Sequence, residues 1–214
     1  MKNVLRLLVL CFALTRSVTG ISQTAKEVFN NSETPLTYLG IDFTKARLID
    51  DAVANETDIR DRQFAAINEV VVNEPKKYDI KGAFHKSAID HDLALVARRN
   101  SKINTETIKS TNTSDFSRLK ESDILALVKG FDFENKKGVG ILFVMEGMSK
   151  AEKAASIWVT LIDMKSKKVM LAERIESKVA AGFSFRNYWA SSIKNLLDTI
   201  DKKKYKEWKQ RYSS

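Results

Sequence analysis

Few residues in this chain carry reactive groups at the spacings a familiar chemistry requires. His85 and His91 lie six apart beside Asp90 and Asp92, and "DHD" offers the carboxylate and imidazole donors that zinc takes. At that separation the two rings fall on different faces of a helix, so a metal site would need distant ligands, and a solvated turn with a surface histidine fits better. Asp42, Asp132 and Asp163 stand at or near the ends of predicted elements, where acids could converge as the pair a hydrolase uses. Aspartates in such places also cap helices and open turns, and Asp163 ahead of "MKSK" suits a turn. Ser184 in "GFSFR" lacks the glycine that a nucleophile elbow places two residues later, and it reads instead as a helix N-cap. No glycine-rich loop ends in a phosphate-binding Gly-Lys-Ser/Thr. The expectation is a chain with no catalytic residue, no metal and no cofactor.

Two groups of residues are better suited to binding. Arg186 and Asn187 fall in the first turn of a predicted helix, where free backbone N–H groups and the helix dipole favour an anion. A plain ion pair of Arg186 with a neighbouring acid is the competing expectation. In "DKKKYKEWKQRY", Tyr205, Trp208 and Tyr212 share one helical face among lysines and an arginine. Such a segment either lies on anionic lipid or covers apolar surface of its own domain, and three aromatics provide little area for the first role. The covering role is therefore expected.

The elements that must position these residues follow from periodicity. "LTYLGIDF" alternates Leu39, Ile41 and Phe43 as a half-buried strand, and "TKARLIDDAVANET" reads as a polar connection. Residues 58–72 set Phe64, Ile67 and Val71 at helical spacing, ended by Asn73 and Pro75. A short helix over 79–86 and then a strand through Leu93, Leu95 and Ala97 are expected, although Ile89, Leu93, Val96 and Ala97 also share a helical face. Residues 100–116 form a polar connection, and from Ser122 a helix carries Ile124, Leu127, Val128 and Phe131. "GVGILFVMEG", "ASIWVTLIDM" and "KKVMLAERIESK" are three strands joined by short charged turns, an antiparallel meander whose last strand is polar enough to lie near an edge. In "AAGFSFRNYWASSI", Gly182 gives backbone freedom, and Phe183 and Tyr188 occupy the two positions of a hydrophobic staple. Phe185, Trp189, Ile193, Leu196, Leu197 and Ile200 then continue one apolar face.

Residues 1–20 read as an export signal, with Lys2 and Arg6 before "LLVLCFAL" and small residues Val18 and Gly20 at the cleavage point. Cys11 is the single cysteine and lies within that signal, so a chain starting at Ile21 has neither disulfide nor thiolate chemistry. The net charge of +9 drops by three with Lys2, Arg6 and Arg16, and the remaining excess favours anionic partners. Export makes nucleic acid an unsuitable one. Residues 21–34 read as a flexible leader, 35–200 as one α/β domain, and 201–214 as the basic aromatic tail.

"GVGILFVMEG", "ASIWVTLIDMKSKKVML" and "AAGFSFRNYWASSI" together resemble a group of uncharacterised exported proteins of Bacteroidota, and "GFSFRNYWA" is the most specific part of the likeness. The group has no agreed activity, so the resemblance assigns no functional residue. The order strand, helix, strand, helix, meander and final helix is similar to the α/β domains of the curli secretion lipoprotein and the TolB amino-terminal domain. Those domains serve assembly and protein contacts, which implies a mixed sheet with helices packed on it and no enzyme activity. The expected function is thus an exported, periplasmic or envelope-associated protein that binds an envelope protein or a surface polymer, with peripheral contact to anionic membrane as a further partner. A hydrolase using acids such as Asp42 and Asp163 and a carrier holding an apolar small molecule between sheet and helix are the alternatives.

Overall fold

A computed structural model describes residues 24–180 and 182–213; the expected signal, its cleavage point and Cys11 lie outside them. Within that range the chain forms one α/β domain around a mixed sheet of seven strands, ending in a long helical segment. The central strand β5 (Val139–Ser149) and its neighbour β6 (Ala154–Asp163) are buried at every position, as their apolar composition requires. They pair antiparallel, and β7 (Lys168–Lys178) pairs antiparallel with β6 and has no further neighbour among the described residues, which suits its mix of exposed and buried positions.

The other edge of β5 carries two strands in succession. β1 (Leu36–Asp42) runs parallel to it from Leu36↔Val139 to Asp42↔Val144, and β2 (Arg47–Ile49) follows from Arg47↔Gly147 to Ile49↔Ser149. The two are one strand interrupted at residues 43–46. Each has a two-residue parallel partner outside it: β3 (Asp90–His91) beside β1 and β4 (Lys109–Ser110) beside β2. The polar connection expected after Phe43 therefore holds β2, and the one expected over 100–116 holds β4. β1 is also not half-buried; only Thr37 of its residues keeps partial exposure, because helices cover both faces of the sheet.

On one face, Tyr38, Ile41, Phe143, Ile157 and Leu161 join a core with residues of α3 (Phe64–Asn73) and α7 (Phe185–Thr199). Asn55 caps a first turn, α2 (Glu56–Asp58), which runs through wider π-helical turns at Ile59–Gln63 into α3. On the other face, Leu39, Leu142, Val144, Trp158 and Ile162 pack with residues of α5 (Ala94–Asn100) and α6 (Glu121–Lys129). The short helix expected over 79–86 is present as α4 (Ile80–Ala83), whereas α5 corrects the strand expected through Leu93, Leu95 and Ala97. The Asp92 carboxylate accepts the Ala94 N–H at 3.0 Å and starts a helix that buries Leu95, Val96 and Asn100. A short alternating run fits both periods, and the helical one is the period that buries Leu95 and Val96 with Leu39 and Ile124.

Two buried asparagines fasten these helices to β1. Asn68 of α3 accepts the Ile41 N–H at 2.7 Å and donates to its carbonyl at 3.1 Å. Asn100 of α5 accepts the Phe43 N–H at 2.8 Å and donates to the Ile41 carbonyl at 3.0 Å. Both helices come so close that a Cβ on Gly40 would stand 2.8 Å from Asn68, Leu93 and Val96, and Gly40 itself has φ +98°. Only glycine satisfies both demands.

Residues 25–34 are not a loose leader throughout. Thr24 and Glu27 form a reciprocal capping box at the start of α1 (Ala25–Asn30), and Val28 and Phe29 are buried. At its other end the Lys86 ammonium donates to the carbonyls of Val28 and Asn31, the latter at 2.7 Å.

Candidate functional site

α7 starts as its sequence requires. Ser184 is extended at φ −136°, and its hydroxyl accepts the Asn187 N–H at 3.2 Å. Trp189, Ile193, Leu196, Leu197 and Ile200 are buried against the sheet, with Tyr188 and Phe185 edge-on to the Trp189 ring at 5.0 and 6.3 Å. Gly182 lies so near that a Cβ there would come within 2.8 Å of the Tyr188 nitrogen, so close approach is what the position demands. The staple is absent. Phe183 projects fully into solvent, and Tyr188 packs on Trp189 instead.

Around Phe183 lies a shallow groove of about 370 Å³ that includes Lys150, Phe185, Tyr188 and Trp189. The Lys150 ammonium sits 2.6 Å from the Asp51 carboxylate, which brings the β2–α2 loop, with exposed Val53, to the same end of the sheet. Arg186 and Asn187 are exposed beside it, and the Arg186 guanidinium donates to the Asn187 side-chain oxygen at 3.0 Å. The Trp189 indole N–H is buried with no hydrogen-bond partner among the described residues. What the arrangement offers is a contact surface with apolar projections and one arginine at the start of a capped helix.

The aromatic tail does something different. α8 (Tyr205–Ser213) continues from α7 through π-helical turns at Ile200–Lys204 and lies against α1. Trp208 is fully buried and Tyr205 nearly so. Phe29 is met by Tyr205 edge-on at 5.5 Å and by Tyr212 stacked at 5.5 Å, and the Tyr205 hydroxyl donates to the Phe29 carbonyl at 3.1 Å. The Trp208 indole N–H donates to the Glu173 carboxylate at 2.7 Å, and Lys204 and Arg211 stand 2.8 and 3.2 Å from that carboxylate. Burial pushes the Glu173 pKa up, but the hydrogen bonds from Lys204 and Trp208 and the nearby cations outweigh it and leave it lowered. These aromatics are turned into the domain.

Of the acids considered for catalysis, Asp42 and Asp163 are not brought together, while Asp132 lines a cleft with Thr44 and Arg99, the partners of Asp42. Asp163 pairs with Val139, which pairs with Leu36, whereas Asp42 lies six residues further along β1. At roughly 3.3 Å per residue that is about 20 Å. Asp42 is fully buried, accepts from Thr44 and binds Arg99 at 2.6 Å; Asp132 and Asp163 accept turn N–H groups from Glu134 and Ser166. His85 stacks on Tyr205 at 4.0 Å and meets Asp201 at 2.9 Å, while Asp92 ion-pairs with Lys136 at 2.7 Å. Among the described residues no group of three or more His, Cys, Asp or Glu could hold a metal ion.

Sequence reasoning passed over Glu146, a fully buried carboxylate at a bulge in β5. It accepts from Ser156 and the Trp158 indole at 3.0 Å each and from the Leu119 N–H, with Arg174 at 3.7 Å. A lone Glu between Met145 and Gly147 in an apolar run was the available signal. Its donors come from β6 and from residue 119, and β7 adds the Arg174 charge, so it ties the sheet to the segment before α6. A cleft of about 480 Å³ near the end of β1, with Arg98, Arg99 and Lys102, is also largely committed: Arg98 pairs with Glu134 at 2.6 Å and Arg99 lies over the Phe131 ring at 4.3 Å.

No model of a known protein family matches the chain, and no curated protein is similar to it.

Proposed function

We propose that the protein is an exported, non-catalytic binding protein of the cell envelope, and that an envelope protein docks at the start of α7. The observation that carries this reading is Phe183, an aromatic side chain fully exposed beside Arg186, Asn187 and the Lys150 groove. Val53, 90% exposed, stands at the same end. Aromatic and arginine side chains dominate the energetics of protein interfaces, and an unpartnered phenylalanine is otherwise a solubility liability. The separation of Asp42 from Asp163 counts against the hydrolase alternative, and the burial of the α8 aromatics is the reason for ranking a membrane contact second. The resemblance of residues 139–193 to exported Bacteroidota proteins supports the compartment.

Photocrosslinking tests the docking site. With p-benzoylphenylalanine in place of Phe183, a discrete protein adduct should form in the envelope fraction and weaken with Arg186→Glu. The same analogue in place of Leu125, exposed on α6 on the opposite face, should give none. Equal labelling at both positions, or none at 183, would overturn the reading. An adduct that collapses on muramidase treatment would assign the surface to a wall polymer.

A further inference from the structure

Arg47 opens β2 and lies opposite Gly147 of β5. That glycine makes room for a neighbouring segment: a Cβ on it would stand 2.5 Å from the Phe116 carbonyl oxygen and 2.6 Å from the Phe116 Cα. Asn112 caps the short 3-10 turn Thr113–Ser117 by accepting the Ser114 N–H at 3.1 Å, and the turn settles on Gly147 and delivers Arg118. The Arg118 guanidinium donates to the carbonyls of Lys45 at 2.6 Å, Asp115 at 3.1 Å and Glu146 at 3.4 Å. The Arg47 guanidinium donates once, to the Ala46 carbonyl at 3.0 Å. Two half-buried arginines from distant parts of the chain thus reach consecutive carbonyls of one loop.

Neither arginine has a counterion. Among the described residues no carboxylate stands within ion-pair distance of Arg47 or Arg118. Asp115 spends one oxygen on the Ser110 hydroxyl at 2.6 Å, and the Glu146 carboxylate is taken by Ser156, Trp158 and Leu119 with Arg174 beside it. Burial and then the charge of Arg118 lower the Arg47 pKa, with Asp115 acting the other way. A guanidinium keeps its proton all the same. The pair is therefore doubly charged, partly desolvated and unneutralised, which costs free energy until an anion joins it. Lys45, exposed and without an ion pair among the described residues, adds a third cation to the same loop. The free N–H groups can also be reached. The fully buried side-chain atoms without a partner belong to Tyr38, Asp51, Tyr78 and Trp189, so Nε and Nη2 of Arg47 and Nε of Arg118 stay open to solvent.

Two guanidiniums match the charge of a phosphate monoester, about −1.5 to −2 at neutral pH. Their planar forks also match phosphate oxygens in pairs. A carboxylate brings one charge and two oxygens, which a single fork satisfies. We infer that Arg47 and Arg118 form a binding site for a phosphate group, that of inorganic phosphate or of a phosphate monoester. It lies beside Leu119 on the α6 face of the sheet, whereas the docking surface at the start of α7 belongs to the other face, so each can fail without the other.

Calorimetric titration of the protein with inorganic phosphate and with glycerol phosphate, against acetate at matched ionic strength, tests the site. Both phosphates should bind saturably and raise the Tm, because a ligand of the native state alone stabilises it. Acetate should bind about tenfold more weakly or worse. Arg47→Gln removes a single hydrogen bond from the fold, so it should fold as the wild type does and lose about tenfold or more in phosphate affinity. Arg47→Lys, which restores the charge without the fork, should recover part of that loss. Vesicles of phosphatidylcholine with phosphatidate identify the source. Capture that glycerol phosphate displaces and Arg47→Gln abolishes assigns the site to a lipid headgroup; soluble binding without capture assigns it to a free phosphate. No saturable binding of either phosphate, equal affinity for acetate, or an affinity unchanged by Arg47→Gln would overturn the proposal.

Discussion

Trp189 is fully enclosed at the centre of the α7 face, and truncating it to alanine should cost about 3–5 kcal/mol, as for other large core side chains. Trp189→Phe should cost less, because the lost indole N–H has no partner to orphan. Chemical denaturation checks both, and an unchanged midpoint for Trp189→Ala would remove this residue from the core. Lys86 makes a pH prediction of definite sign. Burial lowers its pKa from the usual 10.5 to about 8, against the opposing charge of Glu33 and with the help of Lys209. Below pH 8 both folded and unfolded chains hold the proton, and the folded state carries a constant penalty. Between about 8 and 10.5 the unfolded chain binds more protons than the folded one, so this residue makes stability rise with pH there. Lys86→Met should flatten that rise in urea melts taken across the window, and an equally steep rise in the variant would count against the assignment.

Elements differ in how much they owe to contacts that sequence does not display. Deleting residues 201–214 should lower the urea midpoint and expose Phe29 and Phe84, which Trp208 meets at ring-centroid distances of 6.1 and 6.3 Å. If the segment were instead a lipid contact, stability would hold and salt-sensitive binding to anionic vesicles would fall, since screening acts beyond roughly 8 Å at physiological ionic strength. α3, α6 and α7 were legible because each has an apolar face sustained over two turns or more, and α7 also shows its cap at Ser184. β5 and β6 were legible as continuous apolar runs. What escaped was short or depended on partners. β2, β3 and β4 are two or three residues long and exist only through their neighbours. α1 is six residues long, and the "TAKE" capping box that opens it says nothing of the α8 aromatics that bury Phe29. Phe183 matched the staple position, yet only the backbone path at Gly182 decides where it points. The Tyr38 and Tyr78 hydroxyls are buried with no hydrogen-bond partner among the described residues, and spacing carries no sign of that, since it is a property of surroundings.

At the scale of the whole molecule, the chain closes on itself. Leu36 pairs with Val139, and the Tyr205 hydroxyl reaches the Phe29 carbonyl 176 residues away. The sheet is thus completed by a strand distant from its partner, and one face is finished by two end segments that cover each other. Neither α1 nor α8 has a second apolar layer of its own: Phe29 is buried by Tyr205, Trp208 and Tyr212, and Trp208 by Phe29 and Phe84. Removing either partner leaves the other facing a void or solvent. Phe29→Ala and Trp208→Ala should therefore each cost about 3–5 kcal/mol alone, yet the double variant should cost less than their sum. Contacting residues show coupling of roughly 0.5–3 kcal/mol, and a value in that range is expected from the cycle measured by urea unfolding. The control is Phe29→Ala with Ile162→Val: Ile162 belongs to the core on the opposite face of the sheet. That pair should add within about 0.5 kcal/mol. If Phe29 and Trp208 prove additive as well, the two ends fold onto the domain independently, and α8 is an appendage, not part of its closure.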